Sequence, residues 1–182
     1  KTFYENGVHI SEDHPAILNV CEWEGKEVID IGCGTGTLAR ELSSKNAKKV
    51  IGLDISSNAI ELAKEKGIPH NVEFKNEDIM NWKPNEPVDI VVSLGTIEHI
   101  QETEKFLNRI KKFIKPDGCI YLTCPHFINL RGFVWMSLNL LLDVPMSLAD
   151  IHFFHPWQLK EISKKCNLQA DLLKTIDKKF AY

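Results

Sequence analysis

The sequence predicts an α/β fold, a doubly wound and mostly parallel sheet with helices on both faces. Short runs rich in β-branched residues alternate along the 182 residues with longer segments whose apolar side chains recur every three to four positions. Three glycines in five positions follow the first apolar run, and an aspartate closes the second. Because ligands of such sheets bind beyond the carboxyl ends of the strands, these residues also predict where a site lies.

The first predicted strand covers residues 28–31, a β-branched run suited to a buried parallel strand. Gly32, Gly34 and Gly36 follow it and lack Cβ atoms, which lets a ligand approach the main chain closely. We expect a helix to begin at Thr37, with the free N–H groups of its first turn facing that ligand.

The second predicted strand covers residues 50–55 and carries Asp54 near its end, where a carboxylate can accept both hydroxyls of a ribose. Ser56 is the predicted N-cap of a helix over residues 58–66. The inward face of this helix comprises Ala59, Ile60 and Ala63. The glycine loop and the acid together predict a site for a nucleoside-bearing cofactor.

The rest of the core follows the same alternation. We expect strands over residues 72–74, 87–94 and 119–122, with a helix over residues 107–114 and a turn before the last strand. Parallel strands joined by right-handed crossovers bring their carboxyl ends to one rim of the sheet. The residues expected at that rim are the glycine loop, Asp54, Asp78 and Ser93.

The spacing of the glycines distinguishes between nucleotide cofactors. A dinucleotide site has the pattern G-x-G-x-x-G, whereas residues 30–36 read D-x-G-x-G-x-G. This pattern, followed by a strand that ends in an acid, resembles the class I S-adenosylmethionine-dependent methyltransferases, whose fold is Rossmann-like. The resemblance covers roughly residues 25–124. The positions that match one by one are Asp30, Gly32, Gly34, Gly36 and Asp54.

The resemblance implies S-adenosylmethionine as the cofactor and S-adenosylhomocysteine as its product. It implies that the loop backbone packs against the methionine moiety and that Asp54 holds the ribose. It also implies that Asp78 accepts the adenine amino group while Ile79 packs on the ring. The complete set of implied cofactor-binding residues is Asp30, Gly32, Cys33, Gly34, Thr35, Gly36, Asp54, Ile55, Asp78, Ile79 and Ser93.

The resemblance further implies transfer of the methyl group to a small-molecule acceptor by in-line displacement. Glu98 and His99 are candidate catalytic residues, because the end of the fourth strand approaches the methyl group in the family. A matching Glu in cyclopropane fatty acid synthases helps hold a bicarbonate base. The same pair occurs in ubiquinone-pathway O-methyltransferases, but the carboxylate expected from that resemblance three residues before the Glu is replaced by Gly95 in this chain. His126 is a third candidate, as a base at neutral pH. For all three, a structural or pocket-lining role is the alternative.

Two other functions stay open. One is a nicotinamide-dependent oxidoreductase, which the glycine spacing and Asp30 disfavour. The other is a noncatalytic methyltransferase-like binding protein, which the intact glycine loop disfavours. We expect no metal, because His152 and His155 have no Cys or carboxylate partner at ligand spacing.

Composition limits the partners. The net charge of −3 and the isoelectric point near 6.2 provide no basic field for nucleic acid. Five cysteines without C-x-x-C spacing indicate a reducing, cytoplasmic location. The longest apolar stretch, residues 133–142, is too short to span a membrane. We therefore expect a soluble protein with a small-molecule substrate, and the sequence leaves the oligomeric state undetermined.

We expect one domain over residues 1–182, whose parts are an N-terminal helical cap (1–24), a cofactor-binding core (25–124) and a substrate-side helical region with the last strand (125–182).

The region after the core is predicted to differ from it. The apolar residues of 125–149 predict a helix that packs on the domain or at an oligomer contact, with a substrate-covering lid as the alternative. A further helix should start near His155, followed by a sixth strand over residues 168–175. The seventh, antiparallel strand of the family would be short or truncated over residues 177–182.

Overall fold

The structure is a computed structural model and describes residues 13–124, 130–142, 151–152 and 154–171. Its helices are α1 (Asp13–Leu18), α2 (Thr37–Ser44), α3 (Ser57–Glu65), α4 (Thr103–Ile110), α5 (Leu130–Leu142) and α6 (Pro156–Lys165). Its strands are β1 (Glu27–Ile31), β2 (Lys49–Asp54), β3 (Val72–Asn76), β4 (Val88–Leu94) and β5 (Ile114–Thr123). Single turns of 3₁₀-helix cover Ile97–His99 and Lys111–Phe113.

The five strands form one parallel sheet in the order β3-β2-β1-β4-β5. The chain moves outward from β1 to β3 and then returns to place β4 on the other side of β1. The strand order therefore reverses between β1 and β4, which is where open α/β sheets bind their ligands. The predicted doubly wound α/β fold is confirmed.

Alternate side chains of the sheet enter two separate hydrophobic clusters, one on each face. In β1, Val28 joins the cluster that holds the buried residues of α2 and α3, while Ile29 and Ile31 join the cluster that holds those of α4. This alternation follows from the two-residue period of a strand. Because helices cover both faces, the three central strands β1, β2 and β4 are mostly apolar and buried, whereas the edge strands β3 and β5 carry more polar residues.

Helix starts follow local hydrogen-bonding chemistry. The Ser56 side chain accepts a hydrogen bond from the Ala59 N–H at 3.2 Å, which confirms the predicted cap of α3. At the start of α6, the Nδ1 of His155 accepts from the Gln158 N–H at 3.2 Å, and the Gln158 side chain accepts from the His155 N–H at 3.1 Å. This reciprocal pair is a capping box, so the role of His155 in the structure is to begin a helix.

Strand β5 is longer than predicted because the turn before it belongs to the strand as a bulge. Val88 of β4 pairs with Ile114 and Ile90 pairs with Cys119, so two steps along β4 correspond to five along β5. Within the bulge, the Lys115 Nζ lies 3.0 Å from Oδ1 of Asp89. The sequence pattern predicts the turn, but it does not predict that Ile114, before the turn, already pairs with β4.

The prediction of a sixth strand over residues 168–175 is wrong for residues 168–171, which have no regular structure. Beyond the end of α6, Asn167 has a φ of 52°, and the Leu168 N–H donates to the Ser163 carbonyl at 2.9 Å. This left-handed turn closes the helix. Residues 172–182, which include the predicted seventh strand, lie outside the described residues.

The helix predicted within residues 125–149 is present as α5, where Leu138 is half-buried but five other apolar side chains do not pack on the domain. The oligomer contact and the lid stay predictions. Phe133, Val134, Leu140, Leu141 and Leu142 are all exposed, with exposed fractions between 46% and 84%. These side chains do not rest on the sheet.

The ring of Phe74 leaves no room for a side chain at Gly36 or at Gly52. Gly36 gives a test, with Gly67 as its control. A Cβ at Gly36 would lie 2.3 Å from that ring, whereas a Cβ at Gly67 would meet nothing within 4 Å. Both residues have positive φ, 76° and 90°. Gly67→Ala should therefore cost only the left-handed strain, about 1–2 kcal/mol of unfolding free energy. Gly36→Ala should cost this plus overpacking, about 2–5 kcal/mol in all.

Urea denaturation followed by circular dichroism measures both losses. Replacing Phe74 by Leu in the Gly36→Ala background should recover part of the loss, because it removes the ring from the path of the new methyl group. Equal losses in the two alanine variants would contradict the packing explanation.

Candidate functional site

The glycine loop at the end of β1 is tied to the end of β2. The carbonyl of Leu53 accepts hydrogen bonds from the N–H groups of Gly32 at 2.8 Å and Cys33 at 3.0 Å. Gly32, Gly34 and Gly36 have φ values of 73°, 52° and 76°, which side chains disfavour. The loop then leads into α2, whose N-terminus is capped by no side chain among the described residues. The predicted helix start beside the loop is present.

Asp54 fastens the same loop with its side chain. Its Oδ2 accepts from the Gly34 N–H at 2.9 Å, and its Oδ1 accepts from the Ser56 N–H at 2.8 Å. Each carboxylate oxygen has a second lone pair, so the group can still accept a ligand hydroxyl. The next residue, Ile55, is 77% exposed and presents an apolar surface beside this carboxylate.

Asp30 lies at the other end of the motif and is 2% exposed. Its Oδ2 has no hydrogen-bond partner among the described residues. Burial, and to a lesser extent the negative charge of Asp54, raise the pKa of Asp30 to about 7. The site therefore contains two acids on neighbouring strands: Asp54 accepts two backbone hydrogen bonds, and Asp30 has one buried oxygen without a partner among the described residues.

Asp78 and Ile79 follow β3 at the same rim. The carboxylate of Asp78 is exposed and accepts from the Met80 N–H at 2.8 Å and from the Asn81 amide at 3.1 Å. Ile79, by contrast, is 5% exposed and belongs to the core beneath α4. Its side chain therefore has little surface for a ligand ring, and Ile55 has much more.

Cys33 and Thr35 occupy the loop in different ways. The side chain of Cys33 is buried in the core, and burial raises the pKa of its thiol, so the thiol stays protonated. The Thr35 hydroxyl accepts from Lys66 Nζ at 3.2 Å on the exposed side of the loop.

Arg40 holds the loop from below, and the sequence analysis did not identify it. Its Nη1 donates to the carbonyls of Thr35 at 2.8 Å and Gly36 at 2.7 Å, and its Nε donates to the carbonyl of Gly67 at 3.2 Å. The guanidinium also lies 5.3 Å from the centre of the Phe74 ring. The feature of the sequence that could have identified Arg40 is its position on the predicted helix, four residues after the last loop glycine.

Thr96 is a second residue that the sequence analysis missed. Its hydroxyl lies 3.3 Å from the Ile31 carbonyl and 3.2 Å from the Leu94 carbonyl, where β1 and β4 end. It also occupies the space that a side chain at Gly32 would need, since a Cβ there would lie 2.2 Å from the hydroxyl oxygen. The turn after β4 is thereby packed directly against the glycine loop.

The two residues of the predicted catalytic pair after β4, Glu98 and His99, differ in burial. Glu98 is 2% exposed, and its carbonyl accepts from the N–H groups of Ile151 at 3.0 Å and His152 at 3.1 Å. His99 is exposed. Ser93, one strand position before the rim, is fully buried, and its hydroxyl has no hydrogen-bond partner among the described residues. His126 lies outside the described residues.

Three further findings concern other kinds of site. All five cysteines are free thiols. Among the described residues, no three or more His, Cys, Asp or Glu side chains are grouped so that they could hold a metal ion. In the same part of the chain, no helix combines the length and the apolar character that crossing a membrane requires.

Comparison with known proteins adds relatives to this geometry. A ubiquinone biosynthesis O-methyltransferase from mitochondria of Dictyostelium discoideum is 34% identical over 113 residues, which cover 55% of this chain and 35% of the relative. The chain spans less than two thirds of the length of the curated relatives that it matches.

Solved structures share the fold at lower identity. A complex of the Haloferax volcanii Trm112 methyltransferase activator with a methyltransferase matches with a TM-score of 0.70 and 21% identity, covering 85% of this chain and 66% of that chain. The N-methyltransferase NodS of Bradyrhizobium japonicum, solved with S-adenosyl-L-homocysteine, matches with a TM-score of 0.56 and 18% identity. The match covers 61% of this chain and 59% of that chain.

The sequence profile of one protein family, described as a methyltransferase domain, matches residues 23–180. This range includes every strand of the sheet, the glycine loop, Asp30 and Asp54. The chain belongs to the methyltransferase-domain family.

Proposed function

We propose that the chain transfers a methyl group from S-adenosylmethionine to a small-molecule acceptor. The observation that carries this proposal is the hydrogen bond between Asp54 and the Gly34 N–H, which joins a ribose-binding acid to the loop that would face the methionine part. The family match supports the proposal, and it favours methyl transfer over a nicotinamide-dependent reaction. A solved neighbour that contains S-adenosyl-L-homocysteine supports the choice of cofactor.

The rim of the sheet offers complementary surfaces for the parts of this cofactor. Asp54 would accept the ribose hydroxyls, since both of its oxygens are already oriented by backbone N–H groups. Ile55 would cover the adenine ring, because it is exposed beside that carboxylate. Asp78 would accept the adenine amino group from the end of β3. The backbone of residues 32–36 would lie along the methionine part.

The chemistry required of the protein is modest. The sulfonium of the cofactor supplies an electrophilic methyl group when it is bound. The chain must therefore align the acceptor in line with that methyl group, exclude water and, where the acceptor requires it, take a proton. Glu98 would perform the last task or orient the acceptor, since it follows Thr96, which packs against Gly32 of the loop. His99 and His126 stay candidates for the same task.

The remaining features of the proposal concern partners and location. A small-molecule acceptor fits the net charge of −3, which gives no attraction to nucleic acid phosphates. A cytoplasmic location fits the five free thiols, because disulfides are rare in reducing compartments. The single-domain division into residues 1–24, 25–124 and 125–182 also remains part of the proposal.

Asp54→Ala should weaken S-adenosylhomocysteine binding by about tenfold or more, because a bidentate, charge-assisted contact to the ribose is lost. Calorimetric titration measures the dissociation constant, and circular dichroism checks that the variant is folded. Asp89→Asn is the matched control, since Asp89 lies at the opposite end of the sheet and accepts from the Glu27 N–H. Unchanged affinity in Asp54→Ala, or binding of NAD in place of S-adenosylhomocysteine, would contradict the cofactor assignment.

Glu98→Gln should lower the methyl transfer rate by about 100-fold or more if the carboxylate handles a proton. The dissociation constant for S-adenosylhomocysteine should stay within twofold, because Glu98 is assigned to the acceptor side. The assay is release of S-adenosylhomocysteine from S-adenosylmethionine with pooled metabolites as acceptors. Glu102→Gln, which changes an exposed acid at the start of α4, is the control. Full activity in Glu98→Gln would leave this residue with a structural role only.

A further inference from the structure

Cys21, Cys119 and Tyr121 form a small cluster that the proposed methyl transfer does not use. Cys21 lies in the segment between α1 and β1. Cys119 and Tyr121 lie two positions apart on β5, so their side chains are on the same face of the sheet. All three residues are half-buried and pack against the hydrophobic cluster that holds the buried residues of α2 and α3.

Aromatic and hydrogen-bonding contacts bring the segment around Cys21 to β5. The ring of Trp23 lies 6.1 Å from the ring of Tyr121, centre to centre. The Trp23 indole N–H donates to the Leu18 carbonyl at 3.1 Å, across the turn that carries Cys21. The hydroxyl of Tyr121 makes hydrogen-bonding contacts with the thiols of both Cys21 and Cys119. The two sulfur atoms are therefore both within reach of one oxygen atom.

Both thiols also line the same cavity, which a small reactant can enter. The cavity has a volume of about 150 Å³, and its lining includes Cys21, Cys119 and the charged residues Lys26 and Asp117. This volume accommodates several water molecules, and hydrogen peroxide is little larger than water. A peroxide molecule in the cavity would therefore meet both thiols.

The surroundings of Cys21 act on its thiol in opposite directions. Burial raises the pKa of Cys21, while the hydrogen bond with Tyr121 and the charge of Lys26 lower that pKa in part. Burial and the contacts with the two thiols raise the pKa of Tyr121, so its hydroxyl keeps a proton that it can donate in a hydrogen bond. The thiolate is the reactive form of a cysteine. Tyr121 is thus placed to stabilise that form of either neighbour.

We propose that Cys21 and Cys119 are a peroxide-sensitive thiol pair, which closes to an intramolecular disulfide when hydrogen peroxide enters their cavity. Tyr121 is a positioning residue for this step. The inference does not depend on the proposed methyl transfer. Disulfides of reducing compartments are mostly transient and redox-sensing, so a reversible link agrees with the proposed cytoplasmic location.

The oxidation takes place in two steps. The thiolate of Cys119 attacks one oxygen of hydrogen peroxide, the O–O bond breaks, and a sulfenic acid and hydroxide form. The thiol of Cys21 then attacks the sulfur of the sulfenic acid, the S–O bond breaks, and water leaves as the disulfide forms. Two electrons pass from the two sulfur atoms to the peroxide. The two thiol protons end in the two water molecules produced.

Closure of the pair needs only a local movement. A disulfide requires the two Cα atoms to lie within about 7 Å of each other. Each cysteine has a single side-chain torsion, so a change of χ1 rotamer moves a sulfur from the Tyr121 hydroxyl toward the other sulfur. Cys119 is held by the pairing of β5 with β4, whereas Cys21 lies in a segment outside the helices and strands. The adjustment therefore falls on the segment of Cys21.

Mass spectrometry of unreduced peptides, after treatment of the full chain with hydrogen peroxide and blocking of the remaining thiols, identifies the pair. Wild-type protein should lose two of its five free thiols and yield one linked peptide that contains Cys21 and Cys119. Dithiothreitol should restore all five. A link between any other two cysteines, or between two molecules, would overturn the proposal.

Serine variants separate the two steps. Cys21→Ser should accumulate a sulfenic acid at Cys119, which dimedone traps, because no second thiol is present to displace the water. Cys124→Ser is the matched control and should still form the link, since Cys124 is half-buried like the pair but follows the end of β5. Loss of the link in Cys124→Ser, or no trapped sulfenic acid in Cys21→Ser, would contradict the assignment.

Tyr121→Phe should slow formation of the link by about tenfold at a fixed peroxide concentration, because a charge-assisted hydrogen bond to the thiolate is lost. The variant keeps the ring that packs on Trp23, and circular dichroism checks that it is folded. An unchanged rate would show that Tyr121 does not position the step.

The thermal midpoint gives a second measurement. Oxidised wild-type protein should melt at a higher temperature than the reduced protein, because a link between distant parts of the chain restricts the unfolded state. The same treatment should not raise the midpoint of Cys21→Ser. Absence of the linked peptide at peroxide concentrations that oxidise free cysteine in solution would overturn the proposal.

Discussion

The bonds between the end of β2 and the turn after β1 hold the rim of the sheet in a defined shape. One carbonyl, that of Leu53, accepts from two successive loop N–H groups, and the carboxylate of Asp54 accepts from a third. A turn with three glycines has a large conformational entropy when unfolded, so it keeps one shape only where such bonds accumulate. The loop, the acid and the start of α2 therefore form as one unit.

That unit is also fixed from two other directions. Arg40 holds the carbonyls of the loop from α2, and Thr96 packs into the space above Gly32 from the turn after β4. A disturbance on the acceptor side of β4 would reach the loop through Thr96. The same contact would keep the proposed cofactor surface and the proposed acceptor surface in a constant relation.

Much of the fold could be predicted because its signals are local. The β-branched run at residues 28–31, the cap at Ser56 and the glycines each act within a few residues of themselves. What could not be predicted depends on pairs far apart in the chain. Gly52 has no room for a side chain because the ring of Phe74 fills that space. The difference in burial between Glu98 and His99 is visible only in three dimensions. The strand predicted to include residues 168–171 is absent there, because a short half-polar run has no strong preference for a strand of its own.

The contact between Gly36 and Phe74 changes what the glycine motif can report. The last glycine of the motif is required by a ring of the protein itself, and the ligand does not enter that requirement. A related chain without the proposed methyl transfer activity would still need a glycine there in order to pack against Phe74. Retention of the glycine loop in a relative therefore reports on folding as well as on cofactor binding. Retention of Asp30 and Asp54 would be the better indicator of a bound cofactor.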